Sequence, residues 1–246
     1  MHRRGSHSLS AVAMNSKTLD SGRFLPSDRR VAVDRFFPEQ ELLSRGVSCI
    51  AGIDEAGRGP LAGPVTAAAV ILPSVWYVEG IPTALANLND SKQLSELQRD
   101  HFFELLTHHP QICFAIASVE STVIDRINIL AATHQAMNEA LRGLSIQPAH
   151  VLVDGTRVKS MSIPHTPLVK GDSRSYSIAA ASVLAKVTRD RRMRDADTLW
   201  PQYEFARHKG YPTRAHMAAI ARHGPCPIHR LSFAPLRSPD PELFPA

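Results

Sequence analysis

Two apolar runs, VSCIAGID (47–54) and VTAAAVIL (65–72), flank the ten-residue segment EAGRGPLAGP. Each run has the length and continuous apolarity of a buried strand. The segment between them holds three glycines and two prolines, which exclude regular structure there. The chain is thereby committed to a sheet with a wide glycine-rich loop beside its core. Two adjacent carboxylates, Asp54 and Glu55, stand where the first run meets the loop, and one arginine, Arg58, follows directly behind them.

The remaining pattern predicts helices over 36–45, over 95–108 with Ser95 as N-cap, and over 128–142, 175–195 and 213–223. Ile129, Ala132, Ala136 and Ala140 share one face of the third of these. Further strands are predicted over 113–119, 150–154 and 166–169. At 246 residues, 43% of them hydrophobic, the chain can bury one sizeable core. Strands followed by helices around one core describe a single α/β domain with a helical C-terminal part. Residues 1–33 are polar and low in aliphatics, the composition of a disordered tail. Their Arg- and Ser-rich, acid-poor start also fits a transit peptide, and Met14 offers a second initiation site. Three cysteines, an odd number with no CxxC pair, argue against a disulfide framework or a zinc site and for a reducing cytoplasm. No apolar run approaches the ~18 residues of a membrane span.

Asp54 ends one predicted strand, Asp154 ends another (HVLVD), and Asp172, in VKGDSRSYS, precedes the long helix. In α/β sheets, ligand sites gather at strand ends. If the two strands are neighbours, Asp54, Glu55, Asp154 and Asp172 can converge at one edge. Like charges ~4 Å apart repel by ~4 kcal/mol at an effective dielectric of about 20, so one takes a proton or a cation lies between them. An all-oxygen cluster suits Mg²⁺ or Mn²⁺, and two such ions ~3.5–4 Å apart suit in-line phosphodiester hydrolysis. Each residue also has an ordinary role of its own. A strand-end Asp forms turns, Asp172 can cap a helix, and Glu55 can be a solvated surface acid.

The blocks AGIDEAGRGPLAGPVTAAAVIL, LNDSKQLSE, INILAATHQAMNEAL, VLVDGT, VKGDSRSYSIAAASVLAKVTRDRRM, HKGYPTRAH and GPCPIHRLSFAPL resemble, in this order, the bacterial ribonuclease HII family. The resemblance covers Phe36 to Leu236. It implies an α/β fold of the ribonuclease H type, a mixed central sheet flanked by helices, with a C-terminal helical extension. The expected division is a tail over 1–33, a catalytic domain over 34–200, and the extension over 201–246 packed on that domain. The implied activity is endonucleolytic hydrolysis of RNA in RNA–DNA hybrids, with nicking 5′ of ribonucleotides embedded in duplex DNA, as ribonucleotide excision in replication and repair requires. The family uses Mg²⁺ or Mn²⁺ and leaves 3′-hydroxyl and 5′-phosphate ends. Its four acidic ligands match Asp54, Glu55, Asp154 and Asp172. The expected partners are hybrid duplex and ribonucleotide-containing DNA, not a membrane, and the protein is expected to act as a cytoplasmic monomer.

A ribonucleotide differs from a deoxyribonucleotide by one 2′-hydroxyl, which donates and accepts hydrogen bonds. Reading it requires close backbone approach, which glycine permits. The resemblance assigns that contact to Gly57 and Gly59, and a phosphate contact to Arg58. Taken alone, the loop would be an ordinary turn. Tyr211, in KGYPT, matches the family tyrosine that packs on the neighbouring deoxyribose. Lys92, in DSK, and Lys186, in the long helix, can each reach phosphate or a site carboxylate. Net charge is +5, and residues 186–237 hold two lysines and nine arginines against four acids. Such a concentration suits duplex phosphates, although some of it is expected in intrahelical pairs such as Arg191–Asp195. His229 and Tyr176 read as structural. A proofreading exonuclease with four acids, or a non-catalytic hybrid binder, are the competing readings. Nicking of a closed circular duplex excludes the first, and sensitivity to EDTA the second.

Overall fold

The computed structural model describes residues 34–237; the tail expected over 1–33 lies outside them. In chain order the elements are α1 (Phe37–Ser44), β1 (Ile50–Ala56), β2 (Val65–Ile71), α2 (Trp76–Glu79), α3 (Glu96–His108), β3 (Cys113–Val119), α4 (Ser121–Ile127), α5 (Ile129–Arg142), β4 (His150–Asp154), β5 (His165–Leu168), α6 (Tyr176–Leu199), α7 (Phe205–His208) and α8 (Arg214–His223). The strands form one mixed sheet in the order β3-β2-β1-β4-β5. The β1–β2 and β2–β3 pairs are antiparallel, and the β1–β4 and β4–β5 pairs are parallel.

The sheet is covered on both faces. Ile50, Val70 and Leu152 face α6 and α3, while Ile53, Ala69 and Val153 pack against α5. This explains why β1 and β2 read as continuous apolar runs rather than alternating ones. The N-terminal turn of α6 lies directly on β1. A Cβ at Gly52 would sit 2.2 Å from the Ser177 carbonyl carbon, so only glycine admits the helix there. Buried Glu39 of α1 anchors the same turn by accepting the Ser175 and Ser177 hydroxyls at 2.6 Å. A third apolar cluster, with Leu61, Met193, Tyr203, Phe205 and Ile220, joins the segment after Leu199 to the C-terminal half of α6.

Two expectations change, and a helix is found where none was expected. The strand expected to stop at Asp54 continues to Ala56, because Asp54, Glu55 and Ala56 pair with Ala68, Ala67 and Thr66 of β2. Its pairing with β4 does stop, at Ile53↔Val153, which makes the two aspartates the next residues in register at an opened seam. The unexpected helix, α4, carries no amphipathic repeat long enough to be read from sequence. It meets α5 at Asn128, whose left-handed backbone (φ 67) and side chain cap the second helix. The other changed expectation is Arg191, which does not pair with Asp195. It reaches across to Asp100 at 3.4 Å and Glu104 at 3.1 Å on α3, and it covers the Phe103 ring.

Candidate active site

Pleat alternation sends Asp54 toward α6 and Glu55 toward α5. Asp54 meets Asp154, at the end of β4, and Asp172, on the turn before α6. One carboxylate oxygen from each lies within 4.8 Å of the others. Few donors serve this group. Asp54 accepts the Glu55 amide and Asp154 the Gly171 amide, both at 2.7 Å. Burial, then Glu55 and Asp154, raise Asp54 well above the ordinary carboxylate range. Burial, then Asp154 and Asp90, push Asp172 up to about 6. A largely buried, mutually repelling, all-oxygen group short of donors is the donor set for a hard divalent cation.

The structure brings together three of the four expected carboxylates in this group. Glu55 stands apart from it, 3.2 Å from Arg58. Burial raises Glu55 and Arg58 draws it back, while Asp154 still acts on it. Asp154 therefore acts electrostatically on Asp54, Glu55 and Asp172 alike.

A cleft of about 550 Å³ adjoins the carboxylates and is lined by Glu55, Gly57, Arg58, Gly59, Lys92, Lys186 and Tyr211. Gly57 has φ +99, and a Cβ there would fall 2.1 Å from Arg189 Nε. The loop thus needs glycine both for its backbone and for the room behind it. The Tyr211 ring is half exposed at the mouth and lies 3.8 Å from the Cβ position of Gly59. Lys92 faces the acids. Burial works against its charge, but Asp90, Asp54, Asp172 and Asp154 outweigh that and hold it above its ordinary pKa. Lys186 lines the cleft but bonds Asp190 at 2.8 Å, not a site carboxylate.

Asp90 was missed in the sequence. In NDSK it accepts the Lys92 amide at 2.9 Å, as a turn aspartate does, and only the fold carries it to Asp172. Part of the basic surplus of residues 186–237 is not a solvent-facing phosphate surface, although Arg214, Arg222 and Arg237 are exposed. Arg191, Arg192 and Arg194 pair with acids of α3 or with Glu120, and Arg189 and Arg230 are buried. Of the twelve histidines, His208, His216 and His229 are buried together, with His216 Nε2 3.1 Å from His229 Nε2. The structural reading of His229 holds.

The ribonuclease HII family model matches residues 51–236. The chain is 50% identical over 195 residues to a ribonuclease HII of Ruminiclostridium cellulolyticum, covering 79% of this chain and 73% of that one. It is 48% identical to a ribonuclease HII of Geotalea uraniireducens, covering 88% of this chain and 94% of the relative. Among solved structures it resembles the ribonuclease H2 of Pyrococcus horikoshii with a TM-score of 0.63 at 25% identity, over 76% of this chain and 95% of that one. The mixed sheet, the buried acidic group and these likenesses agree: the chain belongs to the ribonuclease HII family, and with it to the metal-dependent ribonucleases.

Proposed function

We propose that this protein is an endonuclease that hydrolyses the RNA strand of RNA–DNA hybrids and nicks 5′ of ribonucleotides embedded in duplex DNA. The observation that carries the reading is the placement of a glycine loop and an exposed tyrosine on one cleft beside three clustered carboxylates, two of them buried. Divalent ions, Mg²⁺ or Mn²⁺, held by Asp54, Asp154 and Asp172 with Glu55 at the margin, would supply charge to lower the pKa of the attacking water and to neutralise the leaving oxygen. Water adds to phosphorus in line, the P–O3′ bond breaks, and 3′-hydroxyl and 5′-phosphate ends result.

The remaining roles fall to the chain itself. The backbone of Gly57 and Gly59 meets the 2′-hydroxyl; a Cβ at Gly59 would point toward Tyr211, and one at Gly57 would displace Arg189 behind the loop. Arg58, paired with Glu55 in the free protein, turns to the phosphate. The Tyr211 ring packs on the next sugar, where a second 2′-hydroxyl would crowd it. Lys92 balances the acids and Lys186 orders the cleft wall through Asp190. Residues 34–200 form the catalytic domain and 201–246 the extension that delivers Tyr211. Cleavage-site mapping on a duplex with one embedded ribonucleotide tests the proposal. A single nick on its 5′ side is expected, and cleavage elsewhere or only from ends overturns it.

A further inference from the structure

Arg189 of α6 and Arg230 are 1% and 0% exposed, and among the described residues neither forms an ion pair. A buried guanidinium is costly unless its donors are taken up. Here they are taken up by peptide carbonyls of two loops. Arg230 donates Nη2 to Gly57 O at 2.6 Å, Nη1 to Arg58 O at 3.0 Å, and Nε and Nη2 to Gly63 O at 3.0 and 2.8 Å. Arg189 donates Nε to Pro64 O at 2.9 Å, and Nη2 to Ala62 O and Lys209 O, both at 3.1 Å. The second arginine therefore ties the loop holding Gly57 and Gly59 to the segment holding Tyr211. A backbone bond from Leu61 N to Gly210 O at 2.8 Å joins the same two segments.

The direction of these bonds matters. In a trans peptide the C=O and the following N–H point opposite ways. With the Gly57 and Arg58 carbonyls turned inward to Arg230, the amides of Arg58 and Gly59 turn outward. Among the described residues no acceptor takes up those two amides. Both guanidinium charges lie directly behind the loop, with Asp190 acting on Arg189 and Asp125 on Arg230 without a direct ion pair. Burial, then Arg189, lower Arg230 to about 9, so it remains a cation at neutral pH.

We propose that Arg189 and Arg230 are paired positioning residues: Arg230 sets the peptide planes that present the Arg58 and Gly59 amides to the ribonucleotide, and Arg189 sets the spacing between that loop and Tyr211. The proposal deepens the reading above and rests on it. Both side chains lie behind the loop, Arg230 fully buried and Arg189 at the back wall of the cleft, so each acts through the backbone that it holds. Lysine keeps the charge but lacks the planar fork that spans several carbonyls, so Arg→Lys removes the geometry selectively.

The test uses the full chain with Mg²⁺, as wild type, Arg230→Lys, Arg189→Lys, and Ile220→Val as a core-destabilised control. It measures kcat and KM on a single-ribonucleotide duplex and on a uniform hybrid, at a temperature where each melting curve shows a folded protein. Misplaced loops should lower kcat on the single-ribonucleotide duplex by about 10- to 100-fold with little change in KM. The ratio of single-ribonucleotide to hybrid turnover should fall in both lysine variants and stay at the wild-type value in the control. An unchanged ratio in a folded lysine variant, an equal fall in the control, or failure of both lysine variants to fold overturns the proposal. If wild type does not nick the single-ribonucleotide duplex, the underlying reading fails instead.

Discussion

Two groups of like charge are buried in this molecule, and they are treated in opposite ways. Behind the glycine loop, Arg189 and Arg230 hand their donors to carbonyls of residues 57–64 and to Lys209. At the sheet seam, Asp54 and Asp154 accept one backbone amide each, and Asp172 remains half-neutralised near pH 6. A cation whose hydrogen bonds are filled from within is fixed in place and needs nothing more. A carboxylate group short of donors is unfinished, and an added cation completes it. The same physical problem thus marks one region as scaffold and the other as binding site.

The largest expected effect breaks the acidic side. Asp54→Asn should lower cleavage by roughly 10³-fold or more, since it removes a ligand that the reacting charge depends on. It also relieves repulsion, so its melting temperature in EDTA should hold or rise. Mg²⁺ should raise the melting temperature of wild type much more than that of the variant, because only a bound ligand stabilises. Near-normal Mg²⁺-dependent turnover in the variant would remove Asp54 from the metal site.

Tyr211→Ala probes the segment that Arg189 holds. Stacking on a sugar or base is worth on the order of 1–3 kcal/mol, roughly 5- to 150-fold in rate if it positions the phosphate. Turnover of the single-ribonucleotide duplex should fall by that much relative to the uniform hybrid, with the salt dependence of binding unchanged. If both substrates fall together with the salt slope, the ring serves general binding or folding.

A smaller effect separates the two regions by pH. Asp172 is raised from 3.8 to about 6. The folded metal-free protein therefore holds its proton more tightly than the unfolded chain, and stability falls as pH rises across that window. His216, in the C-terminal cluster, is lowered by burial from 6.5 to about 4. There the unfolded chain binds the proton more tightly, and stability falls as pH drops from 6.5 toward 4. The two slopes oppose each other. In EDTA, Asp172→Asn removes one of them, so its melting temperature should fall more steeply than that of wild type between pH 6.5 and 4. Parallel curves would show that Asp172 carries no such shift.

The smallest effect is expected from removing residues 1–33, which contain none of the motif blocks. Activity should stay within about twofold and melting within a few degrees. A large loss of either would assign the tail a role in the site.

Much of this was legible in the chain itself. Continuous apolarity in 47–54 and 65–72 announced strands buried on both faces, and Ser95, Asn128, Ser175 and Thr213 all stand as helix N-caps. These are local facts, set by periodicity and by which side chains satisfy free amides. The order of the motif blocks was enough to name the family. Local pattern could not report which distant groups meet. Asp90 looked like a turn residue and approaches Asp172 only through the fold. Arg189 and Arg230 looked like members of a basic surface, and tertiary packing buried them under a loop more than a hundred residues away in sequence. Glu55, next to Asp54 in sequence, is carried to the other face by the pleat. Identity and spacing along the chain determine what each residue can do, whereas burial and the partners it meets depend on which elements share a surface, and only the tertiary structure decides that.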